Sequence, residues 1–133
     1  MLNVIGVTEQ QFIDMYGWNR KVPNAVHFMG RIDHLEVIRM VKASDWAIIL
    51  RENNRVVKAG FPTKLVEAIS CGTGVIVNTF SNITDYISNE NGIIIRDYSQ
   101  LEHALAEESA IRKQVDNTIF DYRNYLKELT ALL

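Results

Sequence analysis

The side chains best placed to do chemistry lie between Arg51 and Ile76, in the run RENNRVVKAGFPTKLVEAISCGTGVI. Arg51, Arg55, Lys58 and Lys64 supply a basic cluster in which Glu52 is the single acid. Gly60-Phe61-Pro62-Thr63-Lys64 reads as the opening of a helix, because proline is tolerated in a first helical turn. Free backbone N–H groups and the helix dipole favour an anion at such a start. Lys64 adds a charge there and Thr63 a hydroxyl. Glu67 sits one turn along the same helix. A carboxylate does not help hold a phosphate, but it suits the vicinal hydroxyls of a ribose or a sugar. Phosphate donors beside a hydroxyl-binding acid describe a site for a nucleotide sugar. A Pro-initiated helix carrying a Lys and a Glu on a solvated face is the plainer alternative.

The whole chain supports a small-anion partner over a polyanion. It has 133 residues, 14 Lys+Arg against 16 Asp+Glu and a formal charge of −2. That balance argues against a dedicated nucleic-acid binder, which usually shows a basic surplus. Residues 1–66 carry nine basic and six acidic side chains, and residues 67–133 carry five and ten, so the basic excess is local. Length and composition fit one soluble globular domain with room for a core that needs no disulfide or structural metal. Cys71 is the one cysteine, which fits a reducing compartment. Its place beside Gly72 suggests a small packed side chain, not a nucleophile. His27, His34 and His103 lack the spacing of metal ligands, which argues against a metal site; no cofactor is expected either. No apolar run approaches the ~20 residues of a membrane span. Met1–Val7 lacks the pattern of a signal peptide. The chain is expected in the cytoplasm, with contact at the inner face of a membrane left open.

Alternating apolar runs and amphipathic stretches must position the basic segment. Strands are predicted at Leu2–Val7, Ala25–Met29, Trp46–Leu50, Gly74–Asn78 and Gly92–Arg96. Thr8-Glu-Gln-Gln11 is a capping-box pattern opening a helix over Glu9–Tyr16. Asp33 to Glu36 caps a second helix to about Ala43, with Leu35, Ile38 and Val41 on one face. Arg51–Gly60 reads as a basic loop, and Thr63–Ser70 as a helix stopped at Gly72. Ser81–Ile87 is one helical turn. Ser99 to Glu102 caps a helix to about Glu108, and Ile111, Val115, Ile119, Tyr122, Leu126 and Leu129 predict a long final helix. This order predicts an α/β fold, a Rossmann-like parallel sheet with helices on both faces. Ligands of open α/β sheets bind beyond the carboxyl ends of the strands. Those ends include Arg51-Glu52, Asn78-Thr79 and Arg96-Asp97, so the basic cluster falls on the functional edge.

Several of these stretches, in this order, resemble the C-terminal donor-binding domain of GT-B glycosyltransferases of the retaining group often called family 4. That family carries a pattern E-x-F-G-x-x-x-x-E-A, followed by a glycine and an apolar strand. Here Ala59 to Ala68 read AGFPTKLVEA, followed by Cys71 to Ile76, CGTGVI. Val26 to Gly30 (VHFMG) is similar to the family's VxFLG strand end. Ala43 to Trp46 (ASDW) is similar to its ADV strand start, and Asn91-Gly92 to the NG before the last strand. The resemblance covers about residues 2–105. It implies that Glu67, as second acid, binds the nucleotide's ribose hydroxyls, and that the turn Gly60, Phe61, Pro62, Thr63 and Lys64 contacts donor sugar and phosphate. Arg51 joins as a diphosphate cation. Three departures stand out. Ala59 replaces the first acid, for which Glu52 is the conceivable substitute. The loop before it is longer than the family's. The family's first strand, with its GR…K diphosphate grip, has no counterpart.

The resemblance thus implies a nucleotide-sugar-binding domain over residues 1–133, part of a GT-B C-terminal half lacking its first strand. The implied reaction moves a sugar from a UDP- or GDP-sugar donor to an acceptor hydroxyl, in polysaccharide biosynthesis, without bound metal. The acceptor, a saccharide or lipid-linked saccharide, belongs to a second, N-terminal domain absent from this sequence. The chain alone is then expected to bind donor weakly and to be inactive. A gap at the missing strand would leave a sheet edge open to homo-oligomerisation. Two other readings stay open: a sugar-nucleotide epimerase of the same architecture, and a non-catalytic regulatory or partner-binding α/β domain. A phosphoacceptor receiver domain is set aside because Leu2–Thr8 contains no acid.

Overall fold

A computed structural model of the chain describes residues 1–52, 54–80, 82–106 and 115–131. The elements follow the order β1 (Leu2–Ile5), α1 (Glu9–Tyr16), β2 (Val26–Gly30), α2 (His34–Ala43), β3 (Trp46–Ile49), α3 (Arg55–Lys58), α4 (Thr63–Ser70), β4 (Gly74–Asn78), β5 (Gly92–Ile95), α5 (Leu101–Ala106) and α6 (Leu126–Thr130). Short 3-10 turns stand at Ile83–Tyr86, Tyr98–Gln100 and Tyr122–Tyr125. Among the described residues every strand pairing is parallel, and the strands divide into two sheets, β1-β2 and β3-β4-β5. The chain falls into two compact units, Met1–Arg39 and Met40–Leu133.

In the first unit the capping box forms as its sequence dictates. The Gln11 N–H donates to Thr8 Oγ1 at 3.2 Å, and the Thr8 N–H donates to Gln11 Oε1 at 2.9 Å. Two of the helix's orphan donors are thereby satisfied. Gly17 closes α1 in the left-handed region at φ 59°. Strand β1 ends earlier than predicted because Gly6 turns at φ 101°. The Gly6 N–H then donates to the Gly30 carbonyl at 2.7 Å, and the Gly30 N–H to Val7 at 3.1 Å. Gly30 itself stands at φ 62°, and a side chain there would press on the Thr8 methyl.

In the second unit β4 is the middle strand, and Gly74 to Val77 are buried. Alternate side chains leave opposite faces of a strand. Val75 and Val77 join Leu65, Ala68 and Ile69 of α4, with Phe80 and Ile83, in one apolar cluster. Ile76 joins Ile95 and Ala104 in the other. Helix α4 ends in a Schellman motif: Gly72, at φ 75°, donates to Ile69, and Thr73 donates to Ala68. The Thr73 hydroxyl donates to the Val41 carbonyl at 2.8 Å, tying the end of α2 to this corner. The Asn91-Gly92 pair has a structural task. Buried Asn91 donates from Nδ2 to Tyr86 O at 2.9 Å and accepts from the Ser88 N–H at 2.9 Å. Gly92 lies so close to β4 that a Cβ would stand 2.7 Å from Val75 Cγ2 and 2.8 Å from its carbonyl.

Three further sequence expectations are corrected. Part of the predicted basic loop is a helical turn, α3, because the Asn54 side chain accepts from the Val57 N–H at 3.0 Å. The cap before α5 is Asp97, not Ser99. Asp97 accepts from the Ser99 N–H, and Gln100 Oε1 closes the box on the backbone before it. The long final helix is broken over Val115–Asp121. Asp116 accepts from both the N–H and the hydroxyl of Thr118, and Asp121 accepts from the Arg123 N–H. Short polar side chains that bond to nearby backbone compete with the helix. The Arg123 guanidinium also holds the Asp121 carboxyl down to about 2. The apolar residues of this stretch, Val115, Ile119 and Phe120, still pack on the Leu65 cluster. Glu108 and Ile111, named in those helix predictions, lie outside the described residues.

Gly92→Ala should lower stability by about 1–3 kcal/mol, the range for overpacking a tight site. Urea unfolding would show it as a lower midpoint with an unchanged slope.

Candidate functional site

Parallel pairing brings the carboxyl ends of β3, β4 and β5 to one edge of the second unit, with Ile49 opposite Val77 and Asn78 opposite Ile95. Beyond that edge the Asn78 side chain bridges two strands. Its Oδ1 accepts from the Arg51 N–H at 2.8 Å, and its Nδ2 donates to the Arg51 carbonyl at 2.7 Å. A side-chain amide thus continues the β3-β4 ladder by one more pair and sets where the basic segment leaves the sheet. At β5 the edge residue Asp97 has its carboxyl pKa lowered by the hydrogen bonds of Ser99. That carboxyl is engaged in its cap.

Helix α4 begins at this edge by topology, since it follows β3 and runs back to β4. Its position is set by Leu65, Ala68 and Ile69, which are buried against β4. That stripe leaves Thr63 and Lys64 exposed and Glu67 half-buried. Pro62 is the N-cap, in extended conformation and buried. Proline has no side-chain oxygen, and Pro62 makes no side-chain cap bond to this helix. The first N–H groups of α4 therefore receive no side-chain cap from Pro62. Lys64 and Glu67 meet directly, with Nζ 2.7 Å from Oε2 and 3.0 Å from Oε1.

The eight predicted site residues are thus unevenly assembled. Gly60, Phe61, Pro62 and Thr63 lead into the Lys64–Glu67 pair. Arg51 is held by its backbone through Asn78, and its side chain is exposed, as is that of Glu52. Neither forms an ion pair among the described residues. Arg55 lies in α3 and is exposed, while the Lys58 side chain lies outside the described residues.

The comparisons with known proteins agree with this architecture. The sequence matches the family of glycosyl transferases group 1 over residues 1–129. The chain belongs to that family. An uncharacterized glycosyltransferase of Methanocaldococcus jannaschii is 27% identical over 111 residues, which are 79% of this chain and 26% of that protein. The solved structure of sucrose-phosphate synthase from Thermosynechococcus elongatus superposes with a TM-score of 0.68 at 20% identity. It covers 98% of this chain and 37% of the synthase. That likeness shows a shared GT-B fold. The chain spans about a quarter of the length of the curated relative and little more than a third of the synthase.

Two features of this glycosyltransferase domain escaped the sequence reading. Asn78 was visible as a strand end, but its cross-strand amide pairing depends on register. The other feature is an aromatic cluster around Phe61. The Phe61 ring meets Tyr86 edge-on at 5.0 Å and Phe120 at 6.0 Å, and Tyr86 and Phe120 lie 5.6 Å apart. Phe61 belongs to the turn before α4, Tyr86 to the 3-10 turn after β4, and Phe120 to the carboxyl-terminal stretch. Three segments distant in sequence thereby lock the turn that opens the helix. Aromatic pairs contribute about 0.5–1.5 kcal/mol beyond their buried area. Phe61→Ala should cost about 2–4 kcal/mol once ring burial is added, while Phe61→Tyr should retain most of the stability. Thermal unfolding of the two variants checks this.

Proposed function

We propose that this chain is the donor-binding part of a longer, two-domain glycosyltransferase that uses a UDP- or GDP-sugar in polysaccharide assembly. The observation carrying this reading is the Lys64–Glu67 pair at the start of α4, on the carboxyl edge of a parallel sheet. In this reading the backbone N–H groups of the Gly60–Lys64 turn receive the diphosphate. Lys64 turns to the phosphate oxygens, and Glu67 accepts hydrogen bonds from the ribose hydroxyls. The Lys64–Glu67 pair does not oppose this exchange. Lys64 is 55% exposed, and such i,i+3 surface pairs are worth only about 0.2–0.5 kcal/mol.

In the transfer step the bond between the anomeric carbon and the diphosphate oxygen breaks. A bond to the acceptor oxygen forms, and the proton of the acceptor hydroxyl passes to the departing diphosphate oxygen. Negative charge grows on the leaving diphosphate, where preorganised N–H groups and cations stabilise it. Arg51 is the second cation assigned to that role, reaching from the strand end that Asn78 fixes. Glu52 takes the place of the family's first acid near the donor sugar. The acceptor, a saccharide or lipid-linked saccharide, is bound by another domain, in the cytoplasm or at the inner membrane face. A non-catalytic partner-binding domain is the competing reading, favoured by Ala59 at the position of the first acid.

Calorimetry with UDP, GDP and their sugars separates the two. Wild type should bind one of these nucleotides, and Glu67→Ala and Lys64→Ala should each weaken it about tenfold to a hundredfold, the value of one hydrogen bond to a charged group. No binding by wild type at millimolar nucleotide would favour the partner-binding domain. Equal binding by Glu67→Ala would remove Glu67 from the site.

A further inference from the structure

The first unit carries an exposed aromatic surface formed by residues outside the candidate site. Phe12 of α1 is the hub of an aromatic cluster, with ring centroids 5.0 Å from Phe28, 5.1 Å from Tyr16 and 5.8 Å from Trp18. Phe12 and Phe28 are half-buried, whereas Tyr16 is 67% and Trp18 39% exposed. Both exposed aromatics contact the one Phe12 ring. Met15 beside them is 68% exposed. The chain turns at Gly17 and continues into Arg20 and Lys21, both exposed. Residues 15–32 contain Arg20, Lys21 and Arg31 and no acid.

We infer that the surface formed by Met15, Tyr16, Trp18, Arg20 and Lys21 rests on an anionic lipid bilayer. Its composition fits that occupant on two counts. Tyrosine and tryptophan have an apolar body and a polar tip, which suits the boundary between acyl chains and headgroups. The neighbouring cations complement a negatively charged leaflet, where each basic residue strengthens attachment by about fivefold. Gly17 in the left-handed region ends α1 between Tyr16 and Trp18, and both rings reach Phe12. Two basic residues and two aromatic rings make a reversible contact, not an anchor.

The test is co-sedimentation with vesicles of phosphatidylcholine alone and of phosphatidylcholine with phosphatidylglycerol. The chain should sediment with the anionic vesicles only, and less as salt is raised. Arg20→Gln combined with Lys21→Gln should weaken this at least tenfold, and Tyr16→Ser with Trp18→Ser should abolish it. The charge variant touches only exposed side chains, so it keeps the test decisive if the aromatic variant fails to fold. The second tryptophan, Trp46, has its ring nitrogen buried. With Trp46→Phe as background, brominated lipid should quench Trp18. Absence of wild-type sedimentation, or sedimentation unchanged in the charge variant, overturns the inference. So would self-association through this patch without vesicle binding.

Discussion

The second unit depends on one strand being covered on both faces. Val75 and Val77 point into the α4 cluster, and Ile76 points into the cluster with Ile95 and Ala104. A strand in that position cannot slip by one residue, because slippage would exchange its two faces. Gly92 reinforces the restraint by letting β5 approach Val75 more closely than any side chain would permit. With β4 held in register, Asn78 must emerge where it reaches the Arg51 backbone, and α4 must lie along Val75 and Val77. The start of α4 and the end of β3 are the two places from which the candidate site is built.

This arrangement separates structural from chemical duties along a few residues. In α4, Leu65, Ala68 and Ile69 are buried and do the packing, while Thr63, Lys64 and Glu67 face the other way and remain available. Pro62 begins the helix with its φ fixed by the ring and contributes no side-chain cap bond. The Phe61 ring adds a lateral restraint, since Tyr86 and Phe120 arrive from segments on other sides of the cluster. The turn before α4 is thus held by aromatic contacts from two distant segments.

Much of this was legible beforehand. Helices Glu9–Tyr16 and Thr63–Ser70 and strand Gly74–Asn78 were readable with their boundaries, because each is bracketed by local signals: a capping box, a proline, a glycine stop. Strand Trp46–Ile49 showed as an apolar run. The family resemblance rested on the same stretches and agrees with the match over residues 1–129. The carboxyl-terminal stretch misled because its apolar residues recur at helical spacing while Asp116, Thr118 and Asp121 divert the backbone. Periodicity reports which residues prefer burial; it does not report competing side-chain bonds. Asp97 was overlooked as a cap for a related reason, since both it and Ser99 are good caps and only geometry chooses between them.

The sequence by itself determined the alternation of strands and helices, the parallel α/β class, the family, and the clustering of Lys64 and Glu67 on one helical turn. Those properties come from interactions within a few residues, or from patterns of apolar spacing that any compact solution must respect. Only the tertiary structure decided that the strands divide into two sheets, that Asn78 clasps Arg51, and that Phe61, Tyr86 and Phe120 meet. Only it decided that Tyr16 and Trp18 share the Phe12 ring. Each of these joins segments through register or packing, and the geometry of such contacts exists only once the strands have paired and the core has closed.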